Sequence, residues 1–148
     1  MAPTPIDEGG LPGLLGWRLA QARVATQEVF DAQVAEPLQL KPVELSMLEL
    51  LRANPGIAPA RLARALAVSR PQATQLLDRL EERGLARRRP SGTDGRGYEV
   101  HATAEGQRCA RDAVARLQLA EAAVLMPLSG AERAMLLELL AKLAPPAR

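Results

Sequence analysis

The chain has 148 residues, 47% of them hydrophobic and 2% aromatic, so we expect one domain with a core of leucine, alanine and valine. The one cysteine excludes an intrachain disulfide, and without a long apolar run or a signal-peptide pattern the sequence predicts a cytoplasmic protein with no membrane partner. The net charge of +2 conceals a basic region, because residues 61–101 carry nine arginines against five acids, whereas residues 1–60 carry four basic and seven acidic residues.

Most of the predicted elements are helices. Residues 1–10 are expected to form a flexible tail and residues 11–148 a single domain. In chain order we predict helices over 11–35, 42–54, 59–66 and 70–83, strands over 85–89 and 96–101, and helices over 104–125 and 130–143. Pro37 is expected to end the first helix. Ser69, Thr103 and Ser129 are predicted to cap the fourth, fifth and sixth helices.

The fourth helix has one apolar face and one polar face. Ala73, Leu76, Leu77 and Leu80 share the face predicted to pack inward. The residues expected to face outward and contact DNA are Ser69, Arg70, Pro71, Gln72, Thr74, Gln75 and Arg79. Arginine suits guanine and glutamine suits adenine in the major groove, so this face predicts contacts with base edges. The alternative is an ordinary solvated helix face.

The predicted hairpin after this helix is basic. Arg87, Arg88 and Arg89 supply charge along its first strand, and Asp94 and Arg96 lie at its turn-rich tip. Arginine enters a narrow minor groove readily, and a neighbouring carboxylate can orient it, so we predict DNA contacts for all five residues. A short helix, a tight turn, a second helix and a hairpin together predict a winged helix-turn-helix.

These motifs resemble the MarR family of bacterial transcription regulators. The resemblance spans about residues 11–143 and is strongest at 68–71, 77–85, 94–96, 100–103 and Gly106, with a further match at 40–44. It implies a mainly α fold with a small β-hairpin wing, a winged helix-turn-helix over about 42–102, and a homodimer formed by helices over about 11–35 and 104–143. It also implies a pseudo-palindromic operator in double-stranded DNA and a repressor that a small, often phenolic or aromatic, effector releases.

Three positions depart from the family pattern. Lys41 and Ala58 stand where a capping serine or threonine is common, and each lost cap is expected to cost about 1 kcal/mol. Gly95 replaces a frequent basic residue of the wing, which would weaken its hold on phosphate.

A ligand pocket is predicted between the dimerisation helices and the DNA-binding module. The residues proposed to line it are Trp17, Arg18, Ser46, Met47 and Arg111, with Arg23 nearby. An arginine beside apolar groups suits an aromatic carboxylate. The alternative is that Trp17 packs in the core or a dimer interface and that the arginines are solvated.

Other functions are weighed against DNA binding. An enzyme is not predicted, because the sequence has no glycine-rich phosphate loop and its single histidine, His101, has no nucleophile to activate; for His101 we expect a phosphate or solvent contact. No cofactor and no metal site are predicted. Two alternatives stay open: a winged-helix module that binds only protein, and a redox-responsive regulator using Cys109, which we expect to be a buried, inert thiol.

Overall fold

The computed structural model describes residues 6–92 and 97–144. Its helices and strands are α1 (Leu15–Phe30), a π-helical turn (Asp31–Ala35), a last helical turn (Glu36–Leu38), α2 (Pro42–Ala53), α3 (Pro59–Ala65), α4 (Arg70–Glu82), β1 (Ala86–Pro90), β2 (Tyr98–Ala102), α5 (Ala104–Val124) and α6 (Gly130–Leu143). A short 3-10 turn, Leu11–Gly13, precedes α1. The predicted fold class, mainly helical with one small hairpin, is confirmed. No helix within the described ranges combines the length and apolar character that crossing a membrane requires.

The sequence predicted that the first helix ends before Pro37, but in the structure the helical path continues past this residue. It passes through the π-helical turn, at whose end the backbone N–H of Glu36 bonds the carbonyl of Asp31. The path ends at Gln39, whose φ of 51° is left-handed. Proline lacks an N–H, and its ring crowds the carbonyl four residues earlier, so a widened turn beside it accommodates the ring without breaking the helix.

The core lies between α2, α3, α4 and the hairpin, and the end of the first helical path and the first half of α5 also contribute to it. Its most deeply buried large side chains are Val34, Leu40, Met47, Leu48, Leu51, Leu62, Leu77, Leu80 and Val100. The predicted inward face of α4 is confirmed, because its four apolar residues are all buried. α4 is thereby held with its opposite face towards solvent.

The hairpin strands pair antiparallel, with Arg87 opposite His101 and Arg89 opposite Glu99. Ile57 forms a single additional bridge with Val100, so a short extended segment after α2 borders the hairpin. The sequence did not predict this bridge, since one isolated residue has no period-2 pattern to detect.

Three of the helices begin with the predicted serine or threonine caps. Ser69, Thr103 and Ser129 each accept a backbone N–H from the first turn of their helix. Ala58 provides no side-chain cap for α3, as expected. At the start of α2, Lys41 also provides none, but the Glu44 carboxylate accepts the Lys41 backbone N–H at 2.9 Å and supplies half of a capping box.

α5 starts directly against the end of α4. The Thr103 hydroxyl donates to the Gly84 carbonyl at 2.6 Å. At Gly106, a Cβ atom would lie 1.9 Å from the Leu85 carbonyl oxygen, so only glycine fits this contact. Gly84 itself has a φ of 69°, which confirms the predicted glycine at the end of α4.

The helices at both ends of the chain expose apolar side chains. The large exposed hydrophobic residues of these regions are Leu11, Leu14, Leu15, Leu19, Val24, Leu119, Met126, Met135, Leu136, Leu137, Leu139 and Leu143. α6 contributes no buried residue in the single chain. An apolar surface of this extent, concentrated in two terminal regions, is typical of a surface that another polypeptide covers.

Candidate nucleic-acid interface

The first turns of α4 form an exposed polar surface. Ser69, Arg70, Pro71, Gln72, Thr74 and Gln75 are all exposed. The Ser69 hydroxyl oxygen accepts the Gln72 backbone N–H at 3.3 Å, which fixes the first turn of the helix. The N-terminal end of a helix carries partial positive charge, so these side chains surround a position that favours an anion such as phosphate.

Gln72 has a second role that the sequence analysis did not assign. Its side-chain oxygen accepts from both the Ser69 backbone N–H and the Ser69 hydroxyl, each at 3.0 Å. The side-chain NH₂ group is then the part of the amide that can donate to a partner outside the protein. A two-point contact with adenine needs the oxygen as well, so it would require this capping box to open.

Arg79, which we expected to contact DNA, has a partner within the protein. Its Nε donates to Glu44 Oε1 at 2.9 Å, and the other Glu44 oxygen accepts the Lys41 backbone N–H. Glu44 is only 5% exposed, so without Arg79 it would hold a poorly solvated charge. Arg79 therefore ties α4 to the start of α2.

Arg88, for which we predicted a phosphate contact, is also engaged within the protein. Its guanidinium donates to Asp78 Oδ1 at 2.6 Å and to Glu81, and its backbone N–H donates to Glu81 at 2.7 Å. It also lies 5.3 Å from the centre of the Tyr98 ring. Burial opposes its charge, but the hydrogen bond to Asp78 and the remaining partners outweigh burial and raise the pKa of Arg88. Arg88 thus joins the hairpin to α4.

Arg87 and Arg89 alternate with Arg88 along β1 and are exposed. Successive side chains of a strand point to opposite faces, so these two arginines share the face of the hairpin turned away from Arg88. On the paired strand, His101 Nε2 lies 2.8 Å from Glu99 Oε1, so the partner of His101 is a neighbouring carboxylate. The predicted DNA contacts at Asp94 and Arg96, and the departure at Gly95, lie outside the described residues.

A cleft of about 550 Å³ separates the start of α4 from the hairpin. Arg70 and Thr74 line it from the helix, and Ser91, Gly97 and Tyr98 line it from the hairpin. The exposed end of α4 and the tip of the hairpin therefore border one cleft.

The predicted ligand-pocket residues have separate surroundings. Met47 is fully buried in the core of the single chain, and its predicted place in the lining of a ligand pocket stays a prediction. Arg18 donates to the Pro12 carbonyl at 3.0 Å, and the Ser46 hydroxyl donates to the Pro42 carbonyl of its own helix. Arg111 is exposed on α5.

Trp17 differs from the other four pocket residues. Its indole Nε1 is buried and has no hydrogen-bond partner within the described part of the chain. A buried N–H without an acceptor is costly, so an acceptor from outside the chain would be favourable here.

A second cleft, of about 400 Å³, lies further along α1 and includes Arg23 and Asp31.

Cys109 is half-buried on α5. Burial raises the pKa of its thiol, and the nearby Arg83 guanidinium only partly opposes this effect. A raised pKa lowers the thiolate fraction at neutral pH and therefore the reactivity of the sulfur. Among the residues that the structure describes, no three histidine, cysteine, aspartate or glutamate side chains are grouped as a metal site requires.

Comparison with known proteins links this surface to one family. The model of the MarR family matches residues 38–97. The chain is 32% identical to a protein proposed to regulate the hcr operon of Thauera aromatica, over 91% of this chain and 81% of that protein. It is 33% identical to an HTH-type transcriptional repressor of Mycobacterium tuberculosis, over 87% of this chain and 92% of the repressor.

Solved structures show the same similarity. The transcriptional repressor CouR bound to a 23-mer DNA duplex is 33% identical, with a TM-score of 0.87, and covers 96% of this chain and 100% of its own. The same repressor bound to p-coumaroyl-CoA has a TM-score of 0.81, covering 96% of this chain and 99% of its own.

Proposed function

The chain belongs to the MarR family, and from that premise we propose that it is a sequence-specific DNA-binding transcriptional repressor that a small aromatic effector releases from its operator. The observation that carries the proposal is the capped, exposed and polar N-terminal end of α4 beside a hairpin with two outward arginines. A relative of 33% identity with this fold has been solved on a DNA duplex.

Each part of this surface has a chemical role in the proposal. Arg70, Thr74 and Gln75 contact base edges in the major groove, and the exposed first turn around Ser69 and Pro71 meets a phosphate at the positive end of the helix. Gln72 contributes its NH₂ group. Arg87 and Arg89 contact phosphates from the hairpin. For Asp94 and Arg96, the minor-groove contact stays a prediction from the sequence.

The proposed functional unit is a homodimer. The exposed apolar side chains of α1, the end of α5 and α6 need a cover, and a second copy offers the same apolar surface around a two-fold axis. Two copies of α4 would then contact two half-sites about one helical turn, or 34–36 Å, apart, which requires a pseudo-palindromic operator.

The proposed effector is an aromatic acid or its coenzyme A thioester. CouR has been solved with p-coumaroyl-CoA, and a thioester or carboxylate oxygen could accept the unpartnered N–H of Trp17. Trp17 is the single tryptophan of the chain, so its fluorescence reports on ligand binding without a label.

The first test is the binding of the purified protein to labelled DNA from the region upstream of its own gene, measured by fluorescence anisotropy at several salt concentrations. We expect specific binding with a Kd of about 10⁻⁸ M or tighter and a steep loss of affinity with salt. Equal affinity for a scrambled duplex of the same length would contradict the proposal.

The second test adds effector candidates to the protein–DNA complex. We expect p-coumaroyl-CoA or free p-coumarate to release the DNA and to change Trp17 fluorescence over the same concentration range. Coenzyme A alone is the control for binding through the nucleotide part. Release of DNA without a change in Trp17 fluorescence would contradict the placement of the effector beside Trp17.

A further inference from the structure

Arg83 connects the end of α4 to the end of the first helical path. One terminal nitrogen of its guanidinium donates to the Gln39 carbonyl at 2.6 Å, and the other donates to the Leu38 carbonyl at 2.8 Å. These carbonyls lie where the helical path ends, at the negative end of its dipole. The planar fork of an arginine matches two such acceptors at once, which the single ammonium of a lysine does less well.

Two further contacts hold the same part of the molecule. Arg79 pairs with Glu44, five residues after Gln39, which Arg83 contacts. On the opposite side, Thr103 holds Gly84, the residue that follows Arg83, to the start of α5. The C-terminal end of α4 is therefore attached to the end of the first helical path, to α2 and to the residue that precedes α5. Its N-terminal half packs into the core through its apolar face and exposes its polar face.

We propose that Arg83 is a positioning residue that determines which half-site spacing the protein selects. This inference rests on the proposed function, and it concerns the geometry of the dimer rather than base contacts. Arg83 lies at the end of α4 opposite to Arg70 and Gln72, at least 11 residues away along the chain. It influences the position of the helix through its hydrogen bonds to the Leu38 and Gln39 carbonyls.

The length of α4 makes the operator spacing sensitive to this attachment. The helix has 13 residues, which at a rise of about 1.5 Å each gives a length of about 20 Å. A tilt of about 10° at its C-terminal end would move its N-terminal end by about 3 Å, close to the rise of one base pair in DNA of about 3.4 Å. A looser attachment therefore lets each protomer reach a half-site one base pair away from the preferred one.

The test measures Kd for operator duplexes whose half-sites are separated by the native spacer, by one base pair fewer and by one base pair more. For the wild type we expect a clear preference for the native spacer. For Arg83→Gln we expect this preference to fall at least threefold, with base preference within each half-site unchanged. Arg83→Lys should recover part of the spacer preference, because it can still donate to one carbonyl. Arg108→Gln, which removes the same charge from an exposed pair on α5, is the matched control and should behave as wild type.

The outcomes separate the inference from the proposed function. Wild-type spacer preference in Arg83→Gln, or no spacer preference in the wild type, would overturn the inference and leave DNA binding intact. Absence of specific binding by the wild type would overturn the proposed function and this inference with it.

An independent measurement covers the case in which Arg83→Gln does not fold. Spin labels at Gln75→Cys in a Cys109→Ser background report the distance between the two α4 helices of a dimer. We expect a broader distance distribution in Arg83→Lys than with arginine at position 83, and an unchanged distribution would overturn the inference.

Discussion

Gly106→Ala tests the junction between α4 and α5. The added methyl carbon would lie 1.9 Å from the Leu85 carbonyl oxygen and 2.9 Å from the Leu85 carbonyl carbon. Ordinary contact of this kind begins at about 3.4 Å, so the first turn of α5 and the backbone of Leu85 must separate by about 1.5 Å. Both partners are backbone atoms held in hydrogen bonds, so no flexible side chain can move aside.

The size of the effect follows from two opposing contributions. Overpacking typically costs 1–3 kcal/mol, whereas alanine gains up to about 1 kcal/mol over glycine in a helix. We expect Gly106→Ala to lower the free energy of unfolding by about 2 kcal/mol. For a small protein the free energy of unfolding falls by about 1–3 kcal/mol per molar urea, so this loss lowers the urea midpoint by about 1 M.

The assay is urea unfolding followed by circular dichroism, with all variants at one protein concentration because a dimer's midpoint depends on concentration. Gly16→Ala is the matched control. Gly16 also lies in the first turn of a helix, but a Cβ there would meet nothing within 4 Å. We expect the control to be as stable as the wild type or slightly more stable. A Gly106→Ala midpoint equal to or above that of the wild type would refute the steric argument.

Further predictions concern the DNA surface and the thiol. Arg70→Ala should cost about 1–3 kcal/mol of binding free energy at the native operator and less on unrelated DNA, as the ratio of the two affinities would show. Arg89→Ala should weaken binding to all sequences about equally and reduce the salt slope by about one unit; an unchanged slope would remove Arg89 from the interface. Arg88→Ala should instead lower the midpoint of urea unfolding, because Asp78 and Glu81 both lose the guanidinium and Glu81 keeps the backbone N–H of residue 88. Cys109 should be alkylated more slowly at pH 7 in the native protein than in urea, because its raised pKa reduces the thiolate fraction at every pH below that value. Equal rates would show that the thiol is neither buried nor shifted.

The features that the sequence predicted well depend on residues close together in the chain. The caps at Ser69, Thr103 and Ser129 and the apolar face of α4 follow from spacings of three to seven residues, so local pattern was sufficient. The predicted end of the first helix was wrong, also for a local reason. The expectation that Pro37 ends the helix did not allow for a π-helical turn beside the proline.

The roles of the arginines could not be assigned from local pattern. Arg79 and its partner Glu44 are 35 residues apart, and Arg83 bonds a carbonyl 45 residues away. Arg88 contacts acids 7 and 10 residues before it, across the turn from helix to strand. Counting charge shows that the region is basic, but only the packing shows which arginines already have partners and which, such as Arg87 and Arg89, face outward.

The capping box at Ser69 has a consequence for the degeneracy of the operator. With its oxygen held by Ser69, the Gln72 amide offers only N–H donors to the groove. Adenine, guanine and thymine all present acceptors in the major groove, whereas cytosine presents only an amino donor. At the base that Gln72 is proposed to face, natural target sites should therefore vary among adenine, guanine and thymine and avoid cytosine. A consensus compiled from many sites would show this position as weakly informative, even though the side chain proposed to contact it is fixed in place.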